Sequence, residues 1–382
     1  MVLDFGNDKA YVKFTPEKDV KATSYTIKVF ALNKTDGGTK KHVYTSKSYT
    51  LNKKGENRWY KVIDYSFYNA VAKKVASSGK VLPNIIEFSF KIVLDDEEEE
   101  VPDIYEVHFI RYIPALMSIK GWTNAVNLQK IWFTKGKNDD KKSVDPEIDA
   151  FTWSWVVAES SQVNGEYEEF FRDTKNELDA YFNNNVKKAL KGEIRKMIPK
   201  GLATLPDASN KTTSFGTFDT AIETYRSEKM PKFEVYYFNS KPFSGFWDLG
   251  LHYAFDGIDD FIATLANFNY HVAAKGQLEY DAGGMFSSPS TKIKVQELAF
   301  FIKDNFDFVD DDPNEPSQPL GYWKIKSKTE LEVERSEPSN VGDYYEVTNK
   351  SYRDYRDVHN MGYDFHVYST LNKQTVDIEL SL

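Results

Sequence analysis

The sequence contains no cysteine, and that absence removes several kinds of chemistry at once. Disulfides, cysteine-ligated zinc, iron–sulfur clusters and thiol nucleophiles all require that residue. No run approaches about 18 apolar residues, so no segment is predicted to cross a membrane as a helix. The first residues, MVLDFGNDKAYVKF, lack the basic and apolar parts of a secretory signal. We therefore expect a protein with no transmembrane segment and no signal peptide.

A concentrated basic face is also missing from the sequence. The chain carries 49 basic and 58 acidic residues, a net charge of −9. Its densest basic piece, VKKALKGEIRK, falls in the second half of a predicted helix whose first half is acidic. Nucleic acids and anionic membranes require a concentrated basic surface. Neither is expected as a partner of this chain.

Hydrophobic patterning predicts an α+β protein of two domains. Residues 1–112 alternate apolar and polar side chains between turn sequences, which predicts an antiparallel β-sandwich, interpreted as a docking or loading domain. Residues 113–382 are expected to form an α+β domain. Apolar residues three or four apart predict one long amphipathic helix over 166–198, and later alternating runs predict an antiparallel sheet, in a half-barrel arrangement or an open one.

An acidic stretch, KDNFDFVDDD at 303–312, follows the apolar run LAFFI. Two carboxylates near the end of a strand can hold Mg²⁺ or Ca²⁺, or can act as a base and its orienting partner. Asp304 and Asp307 are the candidates, and alternation along a strand places them on opposite faces. Two other readings stay open: a solvated acidic loop after a core strand, which suits Asp310–Asp312 best, and a partner contact.

The segment IPALMSIKGWTNAVNLQKIWF resembles a bacterial domain of unknown function that is found beside PAAR-tipped spikes and type VI secretion genes. The likeness is continued by FTWSWVV, by FIKDNFDF with QPLGYW, and by SYRDYRDVHNMGYDFHVYS, and it covers roughly residues 113–370. It implies an effector or toxin-like cargo of a contractile injection system. It further implies cytoplasmic loading in the producer, export without a signal peptide, tube, spike or PAAR partners, and an immunity protein.

A local likeness concerns the acidic stretch itself. Colicin M-type toxins, which hydrolyse the lipid-linked peptidoglycan precursor, carry Asp-x-Tyr-Asp-Phe followed by a His-Arg pair. Here Asp304 and Asp307 keep the carboxylate spacing, but Phe306 stands in place of the tyrosine and no His-Arg pair follows. The nearest downstream histidines are His359 and His366, and His359, near Arg353 and Arg356, is the substitute that the resemblance suggests. It implies a hydrolase with Asp304, Asp307 and His359 as catalytic residues, and with the two aspartates as metal ligands.

Two other functional classes remain open from the sequence. The rival to an effector is a non-enzymatic structural or adaptor component of the injection machine. A carbohydrate- or envelope-binding module is suggested only by the aromatic content of 15%. No GxSxG, HExxH, P-loop or GxGxxG motif is present, so serine hydrolysis, zincin proteolysis and nucleotide chemistry have no support.

Overall fold

A computed structural model describes residues 21–52, 63–159, 161–243, 258–265, 268–284, 287–310 and 314–382. The α-helices in these residues are α1 (Tyr65–Val75), α2 (Ile113–Lys120), α3 (Thr123–Thr134), α4 (Trp153–Glu159), α5 (Ser161–Asp179), α6 (Asn185–Met197), α7 (Asp260–Thr264) and α8 (Asn349–His359). The strands are β1 (Ser24–Asn33), β2 (Lys41–Thr45), β3 (Tyr49–Thr50), β4 (Ile85–Leu94), β5 (Glu97–His108), β6 (Glu147–Phe151), β7 (Thr212–Phe215), β8 (Ile222–Tyr225), β9 (Glu228–Pro231), β10 (Tyr237–Pro242), β11 (Asn269–Asp281), β12 (Ser290–Phe306), β13 (Pro319–Ile325), β14 (Leu331–Glu334), β15 (Tyr345–Thr348), β16 (Phe365–Ser369) and β17 (Asn372–Ser381).

The described residues fall into two compact units that interleave along the chain. Unit 1 takes its residues from Met1–Lys137, Tyr253–Asp260 and Phe308–Gly362. Unit 2 takes its residues from Asn138–His252, Phe261–Asp307 and Tyr363–Leu382. The boundary predicted after residue 112 therefore lies inside unit 1.

Unit 1 contains two antiparallel sheets and the helices α1, α2, α3 and α8. The first sheet has the order β2-β1-β4-β5 with β3 on β1, and the second has the order β14-β13-β15. Every second residue of β1 is buried, as the alternation predicts, and α1 packs against β1 and β2. Phe109, just after β5, stacks on Tyr345 of β15 with ring centroids 3.6 Å apart. That contact explains why a division at residue 112 would cut through a core.

An aromatic cluster around Trp132 forms a second core in unit 1. The Trp132 ring lies edge-on to Phe308 and Tyr352, with centroid distances of 5.1 and 5.3 Å. Gly362 packs against the same indole with a φ of 107°, and a Cβ there would lie 2.6 Å from the ring. Only glycine tolerates both that backbone conformation and that approach.

Unit 2 is built on a seven-stranded sheet with β12 at its centre. The order is β10-β11-β12-β16-β6, with β7 on β11 and β17 on β12; all pairs are antiparallel except β16 with β6. The LAFFI segment of β12 is buried on both faces. On one face, aromatic rings of α5 pack around Phe300. On the other face, the ring centroids of Phe233 and Phe301 lie 4.9 Å apart. No closed barrel is formed by the strands that the structure describes.

The α+β fold class is confirmed, but the single long helix over 166–198 is wrong. The helix breaks at residues 180–184 between α5 and α6. Asn184 supplies the physical reason, because its Oδ1 accepts a hydrogen bond from the backbone N–H of Lys187 (2.9 Å) and starts a new helix. Of the predicted N-terminal sandwich, the described residues contain one five-stranded sheet with α1 against it.

In the described ranges, none of the helices combines the length and the hydropathy needed to span a bilayer.

Candidate functional site

The polar end of β12 forms the candidate site, and strand geometry sorts its side chains onto two faces. The end of β12 pairs with β16 so that Lys303 lies opposite Tyr368, and Asn305 opposite His366. Directly opposed residues of an antiparallel pair share a face. These two pairs therefore lie on one face of the sheet, while Asp304 lies on the other.

A buried ion pair lies on the face of the sheet that carries Lys303 and Tyr368. Nζ of Lys303 is 2.6 Å from Oε1 of Glu234, which belongs to the 3-10 turn Lys232–Tyr236. The Tyr368 hydroxyl donates a hydrogen bond to the other oxygen of Glu234. The side chains are only 7% exposed for Glu234 and 17% for Lys303. Because a buried carboxylate is stable only when its charge is matched, this pair is part of the framework that holds the site.

His366 is held in one tautomer by its cross-strand neighbour. Its Nδ1 lies 2.7 Å from Oδ1 of Asn305, and a carbonyl oxygen can only accept, so Nδ1 carries the proton. Burial lowers the pKa of His366 to about 4, and the nearby Lys303 ammonium adds to that shift. The other ring nitrogen, Nε2, is buried without a hydrogen-bond partner in the described part of the chain. At neutral pH His366 is therefore a neutral imidazole, and its low pKa makes the free lone pair a weak base.

Asp307 lies just beyond the strand and forms an ion pair with Lys141. Its backbone N–H donates to the carbonyl of Asn305 at 3.1 Å, which turns the chain at the end of β12. The Asp307 side chain is 16% exposed and that of Lys141 is 29% exposed, so solvent still reaches both. The ion pair orients the Asp307 carboxylate but leaves it accessible to solvent.

Asp304 differs from Asp307 in its protonation. Burial of its carboxyl raises the pKa of Asp304 to about 8, and the Asp307 carboxylate pushes it in the same direction. The hydrogen bond from the backbone N–H of Asn305 (2.8 Å) and the charge of Lys141 oppose that shift. At neutral pH Asp304 therefore keeps its proton and can donate it.

We name Asp304, Asn305, Asp307, Lys141 and His366 the β12 cluster. Its members share one end of β12 but not one face of the sheet: the protonated carboxyl of Asp304 lies on one face, and the neutral His366 with Asn305 lies on the other. Neighbouring titratable groups whose environments push their protonation states apart are typical of acid–base sites. Asp304 can deliver a proton, and the Asp307 carboxylate, whose charge acts on Asp304, can accept one.

A divalent cation was also predicted at Asp304 and Asp307. Among the described residues, no three His, Asp or Glu side chains come together as a metal-binding group. Asp304 holds its proton at neutral pH and Asp307 is paired with Lys141, and neither condition favours a cation that needs charged oxygen ligands. The metal assignment remains a prediction.

The rest of the acidic stretch has a separate role. Asp310 belongs to unit 1, where it forms a 2.5 Å ion pair with Arg353 and accepts a hydrogen bond from the side chain of Asn349. Although burial raises it, the pKa of Asp310 is held down to about 2 by the hydrogen bonds from Arg353 and the Gln318 backbone. Asp310 thus anchors the start of α8, while Asp311 and Asp312 lie outside the described residues.

His359 lies at the end of α8 in unit 1, whereas Asp304 and Asp307 belong to unit 2. Its ring contacts Tyr355 and His108, with centroid distances of 4.5 and 5.1 Å. Burial lowers the pKa of His359 to about 4, and His108 lowers it further. His359 therefore has an aromatic environment of its own, and its membership in a site with the two aspartates stays a prediction.

Three residues of the β12 cluster were not identified as catalytic from the sequence. Asn305 and His366 meet only through the pairing of β12 with β16, and Lys141 arrives from a short 3-10 turn after α3. The one usable signal was the position of His366 inside the alternating run DFHVYS. Without the strand register, that run gives no partner for the ring.

Unit 1 also contains a cavity of about 360 Å³ beside His108 and the first turn of α8. Both lysines that line it are already paired: Lys350 bonds Asp354, also in the lining, at 2.6 Å, and Lys34 lies 3.4 Å from Glu87, which is outside the lining. A ligand there would have to displace these pairs. We therefore rank this cavity below the β12 cluster as a reactive site.

Comparison with known proteins identifies a family but no characterised homologue. No protein of curated function matches the chain, and no solved structure matches it. Residues 109–382 match DUF6402, a family of unknown function, and include the whole β12 cluster. Because that match covers well over half of its length, the chain belongs to the DUF6402 family.

Proposed function

We propose that this chain is an effector-like cargo of a bacterial contractile injection system, and that the β12 cluster is its hydrolytic centre. The substrate class that the colicin M-like spacing of Asp304 and Asp307 suggests is a lipid-linked precursor of the target cell envelope. Asp304 protonates the leaving group. The Asp307 carboxylate takes a proton from the attacking water.

The catalytic part of this proposal rests on the protonation of Asp304 at neutral pH. A carboxyl with a pKa of about 8 is uncommon, and it lies beside a second carboxyl held as an ion pair by Lys141. Holding an acid protonated at neutral pH is how enzymes prepare a general acid. Function is argued from this site, since a fold class alone is compatible with many activities.

The cargo part rests on resemblance. The segment IPALMSIKGWTNAVNLQKIWF, which resembles proteins encoded beside PAAR spikes and type VI secretion genes, lies inside the family region 109–382. Tube, spike or PAAR proteins are accordingly the proposed partners, and an immunity protein would protect the producer. Loading in the producer's cytoplasm without a signal peptide completes the proposal.

Expression of the full chain in a sensitive bacterium should inhibit growth in the compartment that holds the substrate. We expect inhibition in the periplasm, reached through an added signal sequence. The double variant Asp304→Asn and Asp307→Asn should relieve it, because loss of general acid–base catalysis slows a reaction about 10²–10⁴-fold. Viable counts after induction, with release of lipid-free product from purified precursor, measure the effect.

The matched control is Asp377→Asn on β17, an exposed carboxylate in the same sheet. It should leave growth inhibition intact, and circular dichroism should show both variants folded. Toxicity that survives the double change would eliminate the β12 cluster as the centre. If the chain is harmless in both the periplasm and the cytoplasm, yet co-purifies with tube or spike subunits, it acts as an adaptor and not as an effector.

A further inference from the structure

The break between α5 and α6 places two aromatic side chains in solvent. Tyr181 is 95% exposed and Phe182 is 78% exposed, the highest values among the large hydrophobic residues of the described chain. Their rings lie edge-to-face with centroids 5.4 Å apart. Single exposed apolar residues are common on protein surfaces, but a neighbouring pair with almost no cover is not.

The loop that carries this aromatic pair is fixed by hydrogen bonds at both ends. Nδ2 of Asn184 donates to the carbonyl of Glu177 at 2.5 Å, while its Oδ1 caps α6. Nζ of Lys187, a buried side chain, donates to the carbonyl of Ala180. The loop is therefore held in shape, and the two rings are presented outward by a rigid support.

A basic stripe follows directly on α6. Lys188, Lys191 and Arg195 are spaced three and four residues apart, so they share one side of the helix. That side is turned away from the core, because Val186, Leu190, Ile194 and Met197 are the buried apolar residues. Burial lowers the pKa of Lys191, and the positive charges of Arg195 and Lys187 add to that shift.

The basic side chains of the stripe have no acidic partner among the described residues. In the described part of the chain, none of them forms an ion pair. Glu193, the acidic residue of α6, is engaged by Lys196 at 2.6 Å and by Arg226 at 2.7 Å. The positive charge of the stripe is therefore available to an external anion, although the whole chain carries −9.

Contrary to the expectation from the overall charge, we propose that the aromatic pair and the basic stripe together form a docking surface for an anionic lipid bilayer. Aromatic side chains settle at the level of the headgroups, and lysine and arginine gain from acidic lipids. A single-stranded nucleic acid would need rings that can stack on bases, and the edge-to-face geometry of Tyr181 and Phe182 offers no parallel platform. The inference does not depend on the β12 cluster being catalytic.

The test is co-sedimentation of the full chain with lipid vesicles. Vesicles of phosphatidylcholine and phosphatidylglycerol in equal parts should bind it, vesicles of phosphatidylcholine alone should not, and added salt should weaken binding. The variant K188Q/K191Q/R195Q should lower the apparent affinity about 100-fold. The variant Y181S/F182S should lower it at least about tenfold, because the inserted apolar area is lost.

The matched control is K40Q/K120Q/K328Q, which removes three exposed lysines outside α5 and α6. It should bind the mixed vesicles like the unchanged chain. Equal loss in this control and in the stripe variant would show that only net charge matters, and would overturn the proposal. So would the absence of binding to the mixed vesicles, or retention of a single-stranded oligonucleotide at salt concentrations that release the vesicles.

Discussion

Replacing Asp304 by asparagine is expected to make the protein more stable at pH 8 and to change little near pH 4. An asparagine Oδ1 can still accept the hydrogen bond that the Asn305 backbone N–H gives to the aspartate. It carries no charge, so burial costs it less than a carboxylate. The gain at pH 8 should be about 2–5 kcal/mol, given a shift of about four pKa units reduced by the residual solvent access of this half-buried side chain.

The sign of this pH dependence follows from the two pKa values of Asp304. In the folded state the pKa is about 8, and in the unfolded chain it is near the ordinary 3.8. Between these values the folded protein keeps a proton that the unfolded chain releases, so the free energy of unfolding falls as pH rises from 4 to 8. The asparagine variant lacks that decline. The difference between the two proteins should therefore open progressively over this window.

Hydrogen exchange of the β12 and β16 amides is the best measurement, because the chain has two units and one global transition need not report unit 2 alone. Urea unfolding at pH 5 and pH 8 would support it. Asp377→Asn serves as the control, with no change at either pH. A variant that is destabilised equally at both would mean that Asp304 is ionised in the folded protein, which would also remove the proposed general acid.

A stabilising substitution at this position would also bear on function. Titratable groups with strongly shifted pKa values are common in active sites. Natural sequences keep such a group, although it lowers the stability of the fold, when activity requires it. Gain of stability combined with loss of activity in the same variant would fit a catalytic Asp304. Gain of stability with no functional change would leave Asp304 as a strained residue of the sheet.

The sequence was informative wherever structure depends on neighbours along the chain. Alternation predicted β1, and the apolar run LAFFI was interpreted as a core strand, which the structure buries on both faces. The helix break at 180–184 was missed because the apolar spacing counted Tyr181 and Phe182 as buried, while both are exposed. The local signal was the run of asparagines, since Asn184 favours the start of a helix over its interior.

The candidate site was only partly predictable, for a different reason. Asp304 and Asp307 are close in sequence and could be singled out as a pair. Lys141 lies 166 residues from its partner Asp307, and His366 lies 61 residues from Asn305. Which side chains meet at the end of β12 depends on strand register and on a distant turn, and neither is encoded in local spacing.

Replacing Lys303 by methionine is expected to destabilise unit 2 by about 3–5 kcal/mol, because it leaves the Glu234 carboxylate buried with only the Tyr368 hydroxyl as an assigned partner. The matched control is Lys292→Met on the same strand. Lys292 also forms an ion pair, with Glu379 at 2.9 Å, but its side chain is 40% exposed. An exposed pair contributes about 0–1 kcal/mol, so the control should unfold almost like the unchanged protein.

Adding Glu234→Gln to Lys303→Met should recover most of the lost stability, because the uncompensated buried charge is then gone. Urea unfolding of the two single variants and the double variant gives the coupling between the groups. The same substitution at Lys303 should raise the pKa of His366 from about 4, since the ammonium is one cause of its lowering after burial. Proton NMR of the histidine rings measures that shift. Equal losses for Lys303→Met and Lys292→Met, with an unmoved His366, would mean that the pair is solvated and does not hold the β12 cluster in place.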